Sequence, residues 1–351
     1  MFLALEEIKY EKFRYGLITF MIFLISYLIF MLSSLSVGLA SENTQAVKSW
    51  QTQSVVLNEN SNVSLSQSLL TTENLKDKKL TKKQAYVGLV PVVVKDKGHS
   101  TISAQFIGLR KSQYIYKSLD LFAGRKAKNS NEVTVDRAFW DRGYKLGDKI
   151  TLNGSDKKYT IVGFLNNAKI NIAPIVYGSM TTWKTLRPLA PNVVASGIIS
   201  KDKIDFNNHE MKTYSVKTFI SKLPGYSAQN STFELMIGFL FVISLIVIAV
   251  FLYILTIQKM PNYAVLRAQG IPTKTLIGAT VSQSLILTVL GSLIALIVML
   301  ITVKVMPPTV PIDFAPWIMV SGMGGMIIMG VIGGLIPIRS ILKVDPAKAI
   351  G

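Results

Sequence analysis

Glu234 stands near the head of an apolar run, FELMIGFLFVISLIVIAVFLYILTI, and an ionisable side chain in such a run is a functional suspect by default. A plainer reading competes with it. Ser231 followed by Glu234 fits a capping box, with the serine capping the helix and the glutamate answering at the third position. Beyond this carboxylate the chain offers little that spacing can defend as chemistry. There is no cysteine, so disulfides and cysteine-based metal or redox sites are excluded. The two histidines, His99 and His209, are too few for a histidine-rich metal site. No GxxxxGK[ST] phosphate loop, dinucleotide fingerprint or Ser–His–Asp grouping occurs. A second feature carries charge instead: the loop QKMPNYAVLRAQGIPTKTL holds Lys259, Arg267 and Lys274 with no acid.

These residues must be placed by membrane-spanning elements. Four apolar stretches, at 16–39, 232–257, 276–305 and 315–338, approach or exceed the ~20 residues that cross a bilayer. The expected fold class is membrane α-helical, with four transmembrane helices and one large extramembrane domain at 40–231. The first stretch reads as a span rather than a cleaved leader, because it is long and Glu6, Glu7 and Glu11 offset Lys9, Lys12 and Arg14. Lys and Arg in short loops set orientation. The 258–275 loop is purely basic, and the 339–351 tail holds Arg339, Lys343 and Lys348 against Asp345. Both, with the 1–15 segment, are expected in the cytoplasm, and the large domain and the 306–314 loop outside.

Residues 41–230 carry 28 Lys and Arg against 14 Asp and Glu. Long domains cross regardless of charge, so the surplus speaks instead of attraction to anionic surfaces, polymers or substrates, or of a basic face in an anionic envelope. Residues 41–85 predict a helical stalk, then a loop. From Ala85 the texture is that of strands: YVGLVPVVV, TISAQFIGL, then a strand, a short helix and a hairpin over 131–165, turned at Asn153-Gly154. A mixed α/β domain is expected. Trp50 and Tyr226, near the outer boundary, read as interfacial anchors.

In the basic loop, Pro261 suits the first turn of a helix and Gly270 the residue past its end. About nine helical residues span roughly 13 Å. Nine are marginal alone in water, so Met260, Tyr263, Ala264, Leu266 and Arg267 must rest on membrane or in a groove.

The phrase Tyr263-Ala264-Val265-Leu266-Arg267-Ala268-Gln269-Gly270-Ile271 resembles the coupling helix of ABC transporter permeases of the MacB/FtsX type. The ending Val344-Asp345-Pro346-Ala347-Lys348-Ala349-Ile350-Gly351 resembles the closing phrase of that family. Residues 3–15 resemble its N-terminal amphipathic helix, and Tyr144 to Leu152 a hairpin phrase of its outer domain. The departures are Asn262 where Glu is usual, Ala264 for Gly, and Lys348 for Glu; they bear on which ATPase is the partner. Thr256-Ile257-Gln258-Lys259 and Lys12-Phe13-Arg14-Tyr15 are similar to the heme-export branch.

The resemblance implies a homodimer in a bacterial plasma membrane, working on two copies of a separate ABC ATPase that binds and hydrolyses ATP. The chain itself would be no enzyme and hold no resident cofactor, and its partners would include membrane lipids but no nucleic acid. The ATPase would press on Pro261, Asn262, Tyr263, Leu266, Arg267 and Gly270, and the stroke would pass through the spans to the outer domain. For heme as substrate, the macrocycle needs an apolar slot and an axial ligand, for which methionine and tyrosine are known types. The resemblance points to Met31, Tyr27 and Phe30 on the first span and Glu234 and Met236 on the second; Met31 also reads as plain packing surface. Export of a peptide, antibiotic or lipid-like compound stays open, as does signalling to an outer hydrolase or sensor kinase without transport.

Overall fold

The computed structural model describes residues 2–75, 79–307 and 310–342, with side chains from Glu6 onward. The closing phrase 344–351, with Lys343, Asp345 and Lys348, lies outside the described residues, as do the first three residues of the N-terminal phrase as side chains. The chain divides into two compact units, Leu39–Asn230 and the remainder.

The remainder is helical. Helix α1 (Phe2–Tyr10) is followed by α2 (Lys12–Ser49), whose 38 residues outrun the apolar stretch at both ends. Lys12 to Tyr15 thus belong to the spanning helix rather than to the amphipathic one.

The 39–230 unit is built on an 11-stranded sheet. Its strands are β1 (Ser54–Asn58), β3 (Gln84–Lys95), β4 (Ile102–Leu109), β5 (Leu121–Gly124), β6 (Glu132–Asp136), β7 (Lys149–Leu152), β8 (Lys158–Leu165), β9 (Lys169–Ile170), β10 (Ala173–Ser179), β12 (Gly197–Ser200) and β13 (Met211–Ser215); β2 (Leu70–Thr71) pairs apart with β11 (Val193–Ala195). Short helices α3 (Tyr114–Ser118), α4 (Arg137–Trp140), α5 (Met180–Leu186) and α6 (Val216–Ser221) cover it. The main path runs β13-β1-β12-β3-β4-β10-β6-β8-β5, with β4–β10 and β6–β8 parallel. Side chains alternate across the sheet. Val87, Leu89, Ile107, Leu109, Ile175 and Tyr177 enter one core, closed by Trp50 and Phe219. Val90, Val92, Val94, Ala104, Phe106 and Val176 enter the other, closed by Phe139 and Trp183. Both faces are covered from Gln84 to Val90, where β3 is a continuous, largely buried run, and burial alternates from Pro91 to Lys95.

Two expectations for this unit are corrected. Residues 54–58, expected as loop, form β1, which lies between β12 and β13 and is buried over Ser54 to Leu57. Trp50 is no interfacial anchor: it is 1% exposed, and its indole N–H donates to the Tyr177 hydroxyl at 3.1 Å. Tyr226 likewise packs against the first core.

The helical unit continues with α7 (Tyr226–Gln258), α8 (Met260–Ala268), α9 (Thr273–Val305), α10 (Pro316–Leu335) and α11 (Ile338–Leu342). Among the described residues, four helices are long and apolar enough to cross a membrane, α2, α7, α9 and the segment 316–342. Ser231 is not a cap. The helix has already begun at Tyr226, after Gly225 turns the chain with φ +76°, which leaves Ser231 and Glu234 inside it. Small residues seat the seams. Gly291 lies against Ile22, Gly333 against Ile248 and Gly334 against Ser284, and Ser26 and Ser292 hydroxyls meet at 3.2 Å. Close approach of backbones at such positions is how helices associate where lipid offers no hydrophobic drive.

Candidate functional site

Helix α8 has the start and stop that its residues dictate. Pro261 in the first turn loses no intrahelical bond. Gly270 takes φ +88°, the left-handed conformation that a glycine adopts without penalty. Its N–H donates to Arg267 O, and Ile271 N–H to Leu266 O, so the last carbonyls are satisfied. Arg267 lies in the final turn, where a cation suits the helix dipole.

The nine residues have two faces. Tyr263 and Ala264 are buried with Leu276 of α9 and Ile341 of α11, and Met260, Leu266, Ile271 and Ile277 pack around them. The groove that a marginal helix requires is therefore supplied by the chain itself. Burial pushes the Tyr263 phenol up to about 12, and its hydroxyl bonds to Thr280. Pro261, Asn262, Val265, Ala268 and Gln269 make up the exposed face. Of the expected contact residues, Pro261, Asn262 and Gly270 are thus presented outward, Leu266 and Arg267 are half-buried, and Tyr263 faces inward.

Lys259, which reads as a loop cation, is 6% exposed. Its Nζ donates to Glu7 Oε2 at 3.0 Å and to the Tyr15 hydroxyl at 2.7 Å. The Gln283 amide donates to the same carboxylate oxygen. Nearby, Arg14 donates to Gln258 Oε1 at 2.8 Å. No local spacing could have announced this network, because each of its bonds joins residues more than 240 positions apart.

Of the expected ligand residues, Tyr27, Phe30 and Met31 share one cluster, and Glu234 and Met236 are not part of it. The Tyr27 hydroxyl meets Thr302 Oγ1 of α9 at 3.1 Å. Phe30 is fully buried against Gly322 of α10, and Met31 packs in the same cluster with Met299 and Ile318. Glu234 and Met236 lie exposed on α7, and Glu234 makes no hydrogen bond or ion pair among the described residues. In the 39–230 unit, Lys79, Lys82, Arg110 and Lys117 line a cavity of about 550 Å³ together with Tyr86 and Tyr114. Arg110 stacks over Tyr86 at 4.5 Å and Lys201 over Tyr114 at 4.8 Å.

Residues 234–346 match the family described as FtsX-like permease C-terminal. This stretch is similar to the C-terminal part of FtsX-like permeases. A Staphylococcus haemolyticus protein named "Putative hemin transport system permease protein HrtB" is 29% identical, with 100% of this chain and 99% of the relative covered. A Staphylococcus epidermidis protein of the same name is 27% identical with the same coverage. Among solved structures, the periplasmic region of MacB from Actinobacillus actinomycetemcomitans covers 48% of this chain and 90% of its own, at 10% identity and a TM-score of 0.36. The chain is thus similar to FtsX-like and hemin-transport permeases, and its long apolar helices suit a protein of the cell membrane.

Proposed function

We propose that this permease is the membrane subunit of an ATP-driven exporter that extrudes heme, working as a homodimer with two copies of a separate ATPase. The observation that carries the reading is the two-faced α8. One side is fixed in the chain's own groove through Tyr263, Ala264, Leu276 and Ile341, and the other stands free. A short helix held this way passes on a push that a loose loop would absorb. The ATPase bears on Pro261, Asn262 and Val265 from the cytoplasm, and the termini share that side while the 39–230 unit lies outside. Heme enters sideways from the outer leaflet and meets Glu234 and Met236, which α7 leaves exposed. The name printed for the staphylococcal relatives supports heme as the cargo.

The test is hemin titration of the purified dimer, followed at the Soret band, with heme tolerance of cells measured alongside. Glu234→Ala and Met236→Ala should each change the band and lower tolerance. Met31→Ala should do so only if the second copy opens the α2 cluster. Unchanged spectra and tolerance in all three would sink the heme assignment. A tolerance defect toward peptides or antibiotics would then move the cargo, and loss of envelope-hydrolase activation without any transport defect would move the protein to signalling.

A further inference from the structure

Lys259 occupies the joint between α7 and α8. It is held by three elements: Glu7 from α1, Tyr15 from α2 and, through Glu7, Gln283 from α9. The described side chains of helix α1 add little else to keep it there. Of its described side chains, Ile8 packs on the bundle, while Glu6, Lys9 and Tyr10 are exposed, Tyr10 at 93%. Among the described side chains, from Glu6 to Tyr10, a single apolar contact does little to hold the helix in place. A buried ion pair whose members are both hydrogen-bonded does, because separating it leaves an uncompensated charge out of water.

We infer that the Glu7–Lys259 pair is a latch that fastens α1 to the root of α8, so that the two helices answer the ATPase as one body. The inference rests on the reading that an ATPase acts at α8. Glu7 and Lys259 are positioning residues: neither touches the exposed face of α8. Tyr15 and Gln283 complete the latch by occupying the remaining valences. Their chemistry is ambivalent, since a phenol can donate or accept and a carboxamide presents both an acceptor and donors. The pair should therefore tolerate exchange of its charges but not the loss of one.

The chain contains no cysteine, so Glu6→Cys and Asn262→Cys, both at exposed positions, report on α1 and α8 without background. The full chain in lipid nanodiscs, spin-labelled at the two sites, should give one narrow interspin distance. Lys259→Met and Glu7→Gln should each broaden it, and the exchange Glu7→Lys with Lys259→Glu should narrow it again. If Lys259→Met fails to fold, Glu7→Gln, which keeps a neutral acceptor in place, carries the same test. An unbroadened distance in the single variants overturns the latch, as does an exchange variant as broad as they are. With the ATPase added, heme released per ATP should fall about tenfold in the single variants and recover in the exchange variant. An unchanged ratio overturns the one-body claim. A wild type whose heme release ignores ATP overturns the transport reading instead, and the distances still judge the latch.

Discussion

Asn262 and Tyr263 are neighbours on α8 with opposite surroundings, and substitution should separate the two faces they mark. Tyr263→Ala empties a site 1% exposed and should cost ~3–5 kcal/mol, as large aromatic deletions do. Tyr263→Phe removes only the bond to Thr280 and should cost ~1 kcal/mol. Val265→Glu, on the outer face, should leave stability within about 0.5 kcal/mol of wild type yet abolish co-purification of the ATPase. Thermal unfolding in detergent beside a pull-down reads all three; an ATPase that still binds Val265→Glu argues that the outer face is idle. At this scale Pro261 and Gly270 can be read from the chain because their roles are local backbone chemistry. Lys259 cannot. A lysine in a basic loop and a lysine paired with a glutamate 252 positions away look alike in a sequence.

The loop between β5 and β6 is clamped by charge. Arg125 grips Glu132 with two bonds of 2.8 Å, and the Lys128 and Asn129 amides donate to the same carboxylate. The guanidinium bonds hold the Glu132 carboxyl down at about 2, against 4.5 ordinarily. A depressed carboxylate stabilises the fold above its ordinary pKa and loses that contribution as pH falls through its folded value. The clamp should thus be intact at neutral pH and fail between about 4.5 and 2. The protection of the Lys128 and Asn129 amides, taken against the unstructured-chain exchange rate at each pH, should fall over that window, and Arg125→Ala should already show the low protection at pH 5. Protection that ignores both acid and the substitution would refute the clamp. Elements with short-range signals are legible: Asn153-Gly154 gives away the β7–β8 hairpin, and both residues take positive φ. β1 is not, since SVVLN is five residues in a polar stretch and its partners begin at Gly197. The start of α7 misleads because Ser231 and Glu234 satisfy a capping pattern that the actual start, at Tyr226, makes irrelevant.

Across the helical unit, α7 buries the smallest share of its span, 22% against 33% for each of the other three. Leu235, Phe239, Val242, Ile246 and Val250 face outward along it. In the proposed homodimer this is the face that meets the second copy. Ile246→Cys should therefore give intermolecular crosslinks in native membranes, whereas Leu290→Cys on α9 should not, and equal yields at the two sites would place the seam elsewhere.

The position of β1 in its sheet bears on how the protein is made. The strand leaves the ribosome early, yet both edges that hold it belong to segments ending at residues 200 and 215. Until those arrive, Val55, Val56 and Leu57 have no strand to pair with, and pairing across so long a stretch is slow to form. Nascent chains stalled before residue 197 should be cut readily by protease, and chains extended past 230 should resist. With the 39–230 unit outside the membrane, as proposed, the cell would carry some 190 residues through its translocation machinery as an open thread, and shield the stretch from stray strand partners until the last piece emerges.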